Sequence, residues 1–327
     1  YRGEEGQFLQ NSWREVMDLS EVPFVYHDMA DFKNKIIYYE SSRGCPFSCS
    51  YCLSSIDKCL RFRKLELVEK ELQFFIDEKV PQVKFVDRTF NCNHKHAIAI
   101  WKYIKEHDKG ITNFHFEVAA DLLNEEELKL IESMRPGLIQ LEIGVQSTNE
   151  QTIREIRRTM RFEEVARIVQ RINQGENVHQ HLDLIAGLPY EDMESFQKSF
   201  DDVYRLHPEQ LQLGFLKVLK GSYMESQKER YGLVYKSRPP YEVLYTKWLS
   251  YEEMMQLKSV EEMVEVYYNS GQFSYCLRKL EEEYASPFVL YQGLGRYYEN
   301  HELHLMSHSR ITRYEILLGF IREKHKE

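Results

Sequence analysis

The sequence predicts an α/β fold: a partial parallel (β/α)6 barrel of TIM-like type with a C-terminal helical appendage. Between residues 36 and 220, six β-rich runs alternate with five stretches of helical periodicity. A Gly-Cys-Pro loop stands directly behind the first run, where a barrel strand delivers its top loop. After Gly221 the alternation gives way to Tyr- and Glu-rich segments without strand signals.

Residues 1–35 read as a lead-in segment, with Gly3-Glu4-Glu5-Gly6 at its start and Val22-Pro23 near its end. The β-rich run from Lys35 to Glu40, with Ile36, Ile37, Tyr38 and Tyr39, predicts the first strand, pointing into the cysteine loop. Leu65, Val68, Leu72, Phe75 and Ile76 recur at helical spacing and predict a helix over 64–79, followed by a strand over 82–87. Helix over 94–107, strand over 113–119, helix over 124–134 and strand over 138–146 continue the pattern. A helical stretch over 149–174 carries a predicted break near Thr159. Strand over 179–188, helix over 190–206 and strand over 211–219 complete the barrel. The expected division is therefore 1–35 lead-in, 36–220 partial barrel and 221–327 helical extension.

Composition bounds the function. The chain has 327 residues, 43% of them hydrophobic, enough for one large domain with an appended one. Six cysteines make no disulfide framework here, and the expected home is a reducing cytoplasm. A net charge of -9 argues against a broad electrostatic grip on nucleic acid. No apolar run is long enough to span a bilayer, and no signal peptide is visible.

The strongest chemical signal is Arg43-Gly44-Cys45-Pro46-Phe47-Ser48-Cys49-Ser50-Tyr51-Cys52. Its CxxxCxxC spacing supplies three thiolates. A four-iron, four-sulfur cluster takes one thiolate per iron, so three leave one iron open. Structural zinc wants four closed ligands from paired arms, and no second arm exists. Cys59, Cys92 and Cys276 are scattered like ordinary buried cysteines, and His94 and His96 stand at i, i+2, off a common helical face.

Strand alternation then places polar groups where barrel enzymes build their sites. Glu117 falls on the face opposite Phe116; Glu142, Gly144 and Gln146 share a face; so do His181, Asp183 and Ile185, before Gly187-Leu188-Pro189. An inward carboxylate is costly unless something binds it, so these strand ends predict a lined site.

These motifs resemble the radical S-adenosylmethionine (radical SAM) superfamily, and the resemblance covers roughly residues 36 to 220. Phe116-Glu117-Val118, Gly144-Val145-Gln146, Arg157-Arg158 and Leu182 to Pro189 occur in the same order as in the oxygen-independent coproporphyrinogen oxidase branch. The resemblance implies a [4Fe-4S] cluster on Cys45, Cys49 and Cys52. It also implies S-adenosyl-L-methionine bound by Tyr51, Glu117, Gln146, Arg158, Asp183 and Ile185, and an electron donor such as flavodoxin or ferredoxin. Where many relatives have a glycine-rich turn, this chain reads Phe85-Val86-Asp87-Arg88-Thr89-Phe90-Asn91, which leaves Asp87 free to face the substrate. Asp87, Arg88, Asn91, Asn93 and Glu142 are the substrate candidates.

Tyr38 to Cys52 and the tail around Pro240 to Glu252 are similar to the cobalamin-associated branch of that superfamily. The chain opens at Tyr1, with no room upstream for a cobalamin domain. The expectation drawn from this is hydrogen abstraction by the adenosyl radical alone, with a small-molecule substrate such as a 7-deazapurine. Its narrowest form is queuine lyase, releasing preQ1 from queuine. The alternatives are a cobalamin-dependent methyltransferase and a tRNA-modifying enzyme, the latter disfavoured by the Glu-rich tail.

Overall fold

The protein is described by a computed structural model over residues 11–12, 14–33, 35–56 and 58–325. The Gly3-Glu4-Glu5-Gly6 start of the expected lead-in lies outside the described residues. Strand β1 (Ile37–Tyr39) leads into β2 (Ser42–Arg43), and the cysteine loop runs from there to β3 (Arg61–Phe62). Helix α1 (Leu65–Asp77), β4 (Gln82–Phe85), α2 (His94–His107), β5 (Asn113–Val118), α3 (Glu125–Glu132) and β6 (Ile139–Gln146) follow. Then come α4 (Glu150–Glu155), α5 (Phe162–Asn173), β7 (His179–Ala186), α6 (Met193–Tyr204) and β8 (Gln210–Phe215).

The sheet has six strands in the order β1-β4-β5-β6-β7-β8, all parallel. Each crossover is helical, as parallel pairing requires. Helix starts follow from local chemistry: Asn93, Asn124, Asn149 and Asp192 each accept a backbone N–H in the first turn of the helix they precede. The predicted break near Thr159 is real, separating α4 from α5.

One face of the sheet is apolar. Val83, Phe85, Phe114, Phe116, Leu141 and Ile143 are buried against the helices, with Phe116 4.5 Å from Phe85 and 4.3 Å from Phe90 between ring centroids. The other face carries Lys84, His115, Glu117, Glu142, His181 and Asp183. A sheet with an ordinary core on both sides would show continuous apolar strands; the alternation here marks one face for chemistry.

Both sheet edges are covered. On β1, Tyr26 donates to the Tyr38 carbonyl at 2.6 Å, and buried Arg63 ties the lead-in to α1 through Leu19 O at 2.7 Å and Glu71 at 2.5 Å. On β8, the Asn269 amide accepts from Leu211 N at 2.9 Å and donates to Leu211 O at 3.0 Å.

Beyond β8 come α7 (Tyr223–Ser226), α8 (Lys228–Tyr231), β9 (Val234–Tyr235), β10 (Val243–Tyr245) and α9 (Tyr251–Met263), which continues as a π turn over Val264–Asn269. Helices α10 (Ser274–Glu281), α11 (Pro287–Asn300) and α12 (Arg310–Lys324) end the fold. The expectation of no strands after Gly221 is corrected by β9 and β10, which pair antiparallel. They are too short for periodicity to register.

Candidate active site at the cysteine loop

The loop is built before it is filled. The β2–β3 ladder closes its base, pairing Ser42 with Phe62 and Arg43 with Arg61. Gly44 adopts φ +95°, and a Cβ there would lie 2.7 Å from the Cys59 carbonyl oxygen, so only glycine fits without displacement. Further along, Ser50 N donates to Ile156 O and Ser50 O accepts from Met224 N, both at 2.8 Å. The loop is thereby pinned to the end of α4 and to α7. Cys45 and Cys49 are buried and Cys52 is half-buried.

All three cysteines line one pocket with Tyr51, Arg88, Glu117, Glu142, Gln146, Arg158 and Asp183. Thr89 and Asp121 join them, and the Thr89 hydroxyl stands 3.7 Å from Cys45 Sγ. Phe47 and Val118 supply apolar wall. A larger cleft of about 850 Å³ opens beside α4, α5 and α6, but it holds no cysteine and lies apart from this chemistry.

The electrostatics are set by burial and neighbours. Burial, and then the charge of Glu142, push Glu117 up to about 7, against Arg88 and Lys84. Burial would also raise Glu142, yet contacts from His115 at 2.9 Å and Lys84 at 2.8 Å outweigh it and hold Glu142 near 2. Burial raises Asp183, and His181 stands 3.0 Å away. For His181, burial works downward but the Asp183 and Glu142 carboxylates prevail, so its pKa is raised. The His181 and Asp183 atoms are close yet misaligned, so neither completes a hydrogen bond. Burial raises the Cys49 thiol, opposed by the Arg158 guanidinium 3.9 Å away.

Two polar atoms here lack a hydrogen-bond partner, Gln146 Oε1 and Arg158 Nε, both buried, and Asp183 Oδ1 has only its ion-pair contact with His181. Gln146 also adopts φ 74°, at a register shift between Gly144 and Gln146, a strained conformation that turns it into the pocket. A Cβ at position 144 would overlap the Gln146 amide nitrogen, so that side chain would have to shift, and would touch Arg158. Arg158 also donates to the Gly144 carbonyl and lies 3.5 Å from the Tyr51 hydroxyl. Buried orphaned donors and acceptors are costly unless a ligand meets them. Three cysteines beside such groups fit a thiolate-held cluster with a polar, charged small molecule on its open side. Among the described residues, no three His, Cys, Asp or Glu side chains are grouped to hold a single metal ion.

Four expected residues are placed elsewhere. Asp87 does not face the substrate: it is buried, accepting from Ser41 N at 3.0 Å, Ser41 Oγ at 2.7 Å and Ser42 Oγ at 2.6 Å, and so anchors the foot of the cysteine loop. Asn91 holds both the N–H and the carbonyl of Ala119, at 3.0 and 2.8 Å. Asn93 caps α2 through His96 N at 3.2 Å. Ile185 is outside the pocket lining, packed toward Gly214. Asn91 and Asn93 serve the backbone, as short polar side chains near turns do, and Asp87 serves one backbone N–H and two serine hydroxyls. Sequence reading missed Lys84, His115, Thr89 and Asp121. Alternation along β4 and β5 marks the first two; Thr89 and Asp121 sit in loops that no periodicity reaches.

Comparison with known proteins bears on the family and the fold. The sequence pattern of the radical SAM superfamily matches residues 39–203, and that of a protein of unknown function (DUF4080) matches 229–327. An uncharacterized methyltransferase of Pyrococcus horikoshii is 30% identical over 131 residues, 37% of this chain and 28% of that protein. The radical S-adenosylmethionine methyltransferase TsrM of Kitasatospora setae, with cobalamin and [4Fe-4S] cluster bound, superposes with a TM-score of 0.53 at 16% identity, over 63% of this chain and 40% of TsrM. OxsB, a cobalamin-dependent S-adenosylmethionine radical enzyme, also gives 0.53 at 16% identity, over 100% of this chain and 51% of its own. At such identity the likeness is one of fold. The chain spans about a quarter to a half of the length of these relatives.

Proposed function

The chain belongs to the radical SAM superfamily, and from that premise we propose that it is the radical-generating part of a cobalamin-dependent enzyme, methylating a small molecule, in a reducing cytoplasm. It uses a [4Fe-4S] cluster and SAM. When bound and reduced by one electron, these supply a 5′-deoxyadenosyl radical or, with cobalamin, an activated methyl group. In the proposed assignment Cys45, Cys49 and Cys52 each hold one iron. Glu117 accepts from the ribose hydroxyls, Arg158 and Gln146 meet the carboxylate end of SAM, and Asp183 takes a further donor. Tyr51, Phe47 and Val118 exclude water from that side.

The observation that carries the reading is the convergence of three cysteines with Glu117, Gln146, Arg158 and Asp183 on one pocket. Methylation is supported by the naming of the P. horikoshii relative and of TsrM as methyltransferases, and the cobalamin element by the cobalamin bound in TsrM and OxsB. The expectation that cobalamin is excluded rested on where the chain begins, and a chain spanning half of OxsB gives that argument no weight. The narrower reading, queuine lyase, has one feature in its favour: Glu142 and Asp183 beside Arg88 offer acceptors to a cationic or diol arm.

Anaerobic reconstitution with iron, sulfide, SAM and a low-potential reductant tests both readings. Cobalamin-dependent formation of S-adenosylhomocysteine is expected, with Cys45→Ala abolishing it. Release of preQ1 from queuine without cobalamin would move the assignment to the lyase, and full activity in Cys45→Ala would remove the cluster assignment altogether.

A further inference from the structure

The cysteines assigned to the cluster differ in what faces their sulfurs. Cys49 Sγ has the Arg158 guanidinium 3.9 Å away, a cation that the proposed assignment also gives to the carboxylate end of SAM. Cys45 Sγ has the Thr89 hydroxyl 3.7 Å away, a neutral group to which that assignment gives no task. Both Cys45 and Thr89 are 8% exposed, so water has little access to this contact.

Thr89 is held from both sides. Two residues earlier, Asp87 is fixed by the three donors of Ser41 and Ser42. Two residues later, Asn91 grips the N–H and the carbonyl of Ala119. Between them Phe90 is fully buried, with its ring centroid 4.3 Å from that of Phe116 and 5.3 Å from that of Trp101. The Thr89 carbonyl itself accepts from Cys92 N at 3.1 Å. A β-branched side chain on a backbone pinned in this way has few orientations, so the hydroxyl oxygen is set in place beside the sulfur.

The hydroxyl has one proton and two acceptors within reach. Thr89 Oγ donates to the Arg88 carbonyl at 2.8 Å, which leaves a Cys45 thiol free to donate to Oγ. A thiolate holding iron has no proton and can only accept. Turning the O–H about its own C–O bond then carries the proton from the carbonyl to the sulfur, with no heavy atom displaced. The anionic sulfur is the charge-assisted acceptor of the two.

We propose that Thr89 acts through Cys45, donating a hydrogen bond to its thiolate and so raising the potential at which the cluster accepts an electron from a low-potential reductant. The inference rests on cluster binding by Cys45, Cys49 and Cys52. An added electron makes the thiolates more negative, so a donor aimed at one of them favours the reduced form. One electron enters from the reductant, and at Thr89 only the hydroxyl turns.

The test titrates the reconstituted protein with a low-potential reductant in the absence of SAM, reading the reduced cluster by electron paramagnetic resonance. Thr89→Val keeps the shape without the hydroxyl and should lower the equilibrium constant for reduction about tenfold, ~59 mV for one electron. Thr89→Ser keeps the hydroxyl and should stay close to wild type. After exchange into deuterium oxide, the reduced wild type should show a deuteron coupled to the cluster that Thr89→Val lacks. Equal potentials in wild type and Thr89→Val, one deuteron spectrum common to both, or a serine variant shifted as far as the valine variant would each overturn the assignment. If Thr89→Val takes up no iron, Thr89→Ala replaces it with the same expectations. Failure of the cluster assignment shows separately, as wild-type protein that holds no iron and gives no reduced-cluster signal.

Discussion

Glu117 and Glu142 face each other across one rung of the β5–β6 ladder, and their neighbours set them at different acidities, about 7 and about 2. A carboxyl at 7 accepts from two ribose hydroxyls only when ionised, so SAM affinity should rise as the pH passes upward through 7. Glu117→Gln should weaken SAM binding about tenfold at pH 8, equivalent to ~1.4 kcal/mol, and abolish that slope. Titration calorimetry of the reconstituted protein at pH 6 and pH 8 checks both, and a slope surviving in the variant would assign it to another group. For the ligand-free protein the sign is opposite. The folded state holds this proton above the ordinary carboxyl value of 4.5, so the stabilisation is complete below that pH and is lost as pH rises through about 7. Glu117→Gln should therefore flatten Tm over that window. Asp87 is another buried carboxyl with a different task, since three donors from Ser41 and Ser42 converge on it. Asp87→Ala leaves those donors unmatched at a cost of about 1–3 kcal/mol, measurable by thermal unfolding of the apoprotein. Unchanged stability there would return Asp87 to the list of substrate residues.

At the scale of elements, the barrel strands and helices were legible because each runs for several residues with a fixed hydrophobic period. The polar ends of β5, β6 and β7 were legible for the same reason: Glu117, Glu142 and Asp183 interrupt that period on the inward face. What escaped are elements made by pairing alone. Strands β2 and β3 span two residues each, and so does β9; none has a period to read, yet the first two close the cysteine loop. The Asn269 clamp on β8 is of the same kind, a side chain 58 residues away in sequence occupying a sheet edge. Asn269→Leu should cost about 1–3 kcal/mol through the two Leu211 backbone groups it abandons. Hydrogen exchange should show the Leu211 amide, protected in the native protein, exchanging faster in the variant. Retained protection would mean that packing of the π turn, not the amide, covers the edge.

Over the whole molecule, the helices beyond Gly221 pack on α6 and on the β8 edge. Phe288 N donates to Asp201 of α6 at 2.9 Å, Tyr204 and Tyr291 hydroxyls meet at 3.1 Å, and the α9 and α11 side chains Leu257, Val260, Leu290 and Leu294 are buried. A chain ending at Ser250 should bare the β8 edge and the aromatic face of α6, and it should aggregate; light scattering of the purified fragment reads this. A monodisperse fragment would show that the barrel does not need this cover. No helix among the described residues is long and apolar enough to cross a membrane. The sequence by itself determined the α/β class, the order of the barrel elements and the three cysteines, because these rest on local periodicity and on spacing along the chain. Only the tertiary structure decided which polar residues serve the pocket and which serve the backbone. Asp87, Asn91, Thr89 and Asp121 are alike as loop polar residues. The loops from different strands had to be brought together before the first two could be satisfied by the fold and the last two left facing the site.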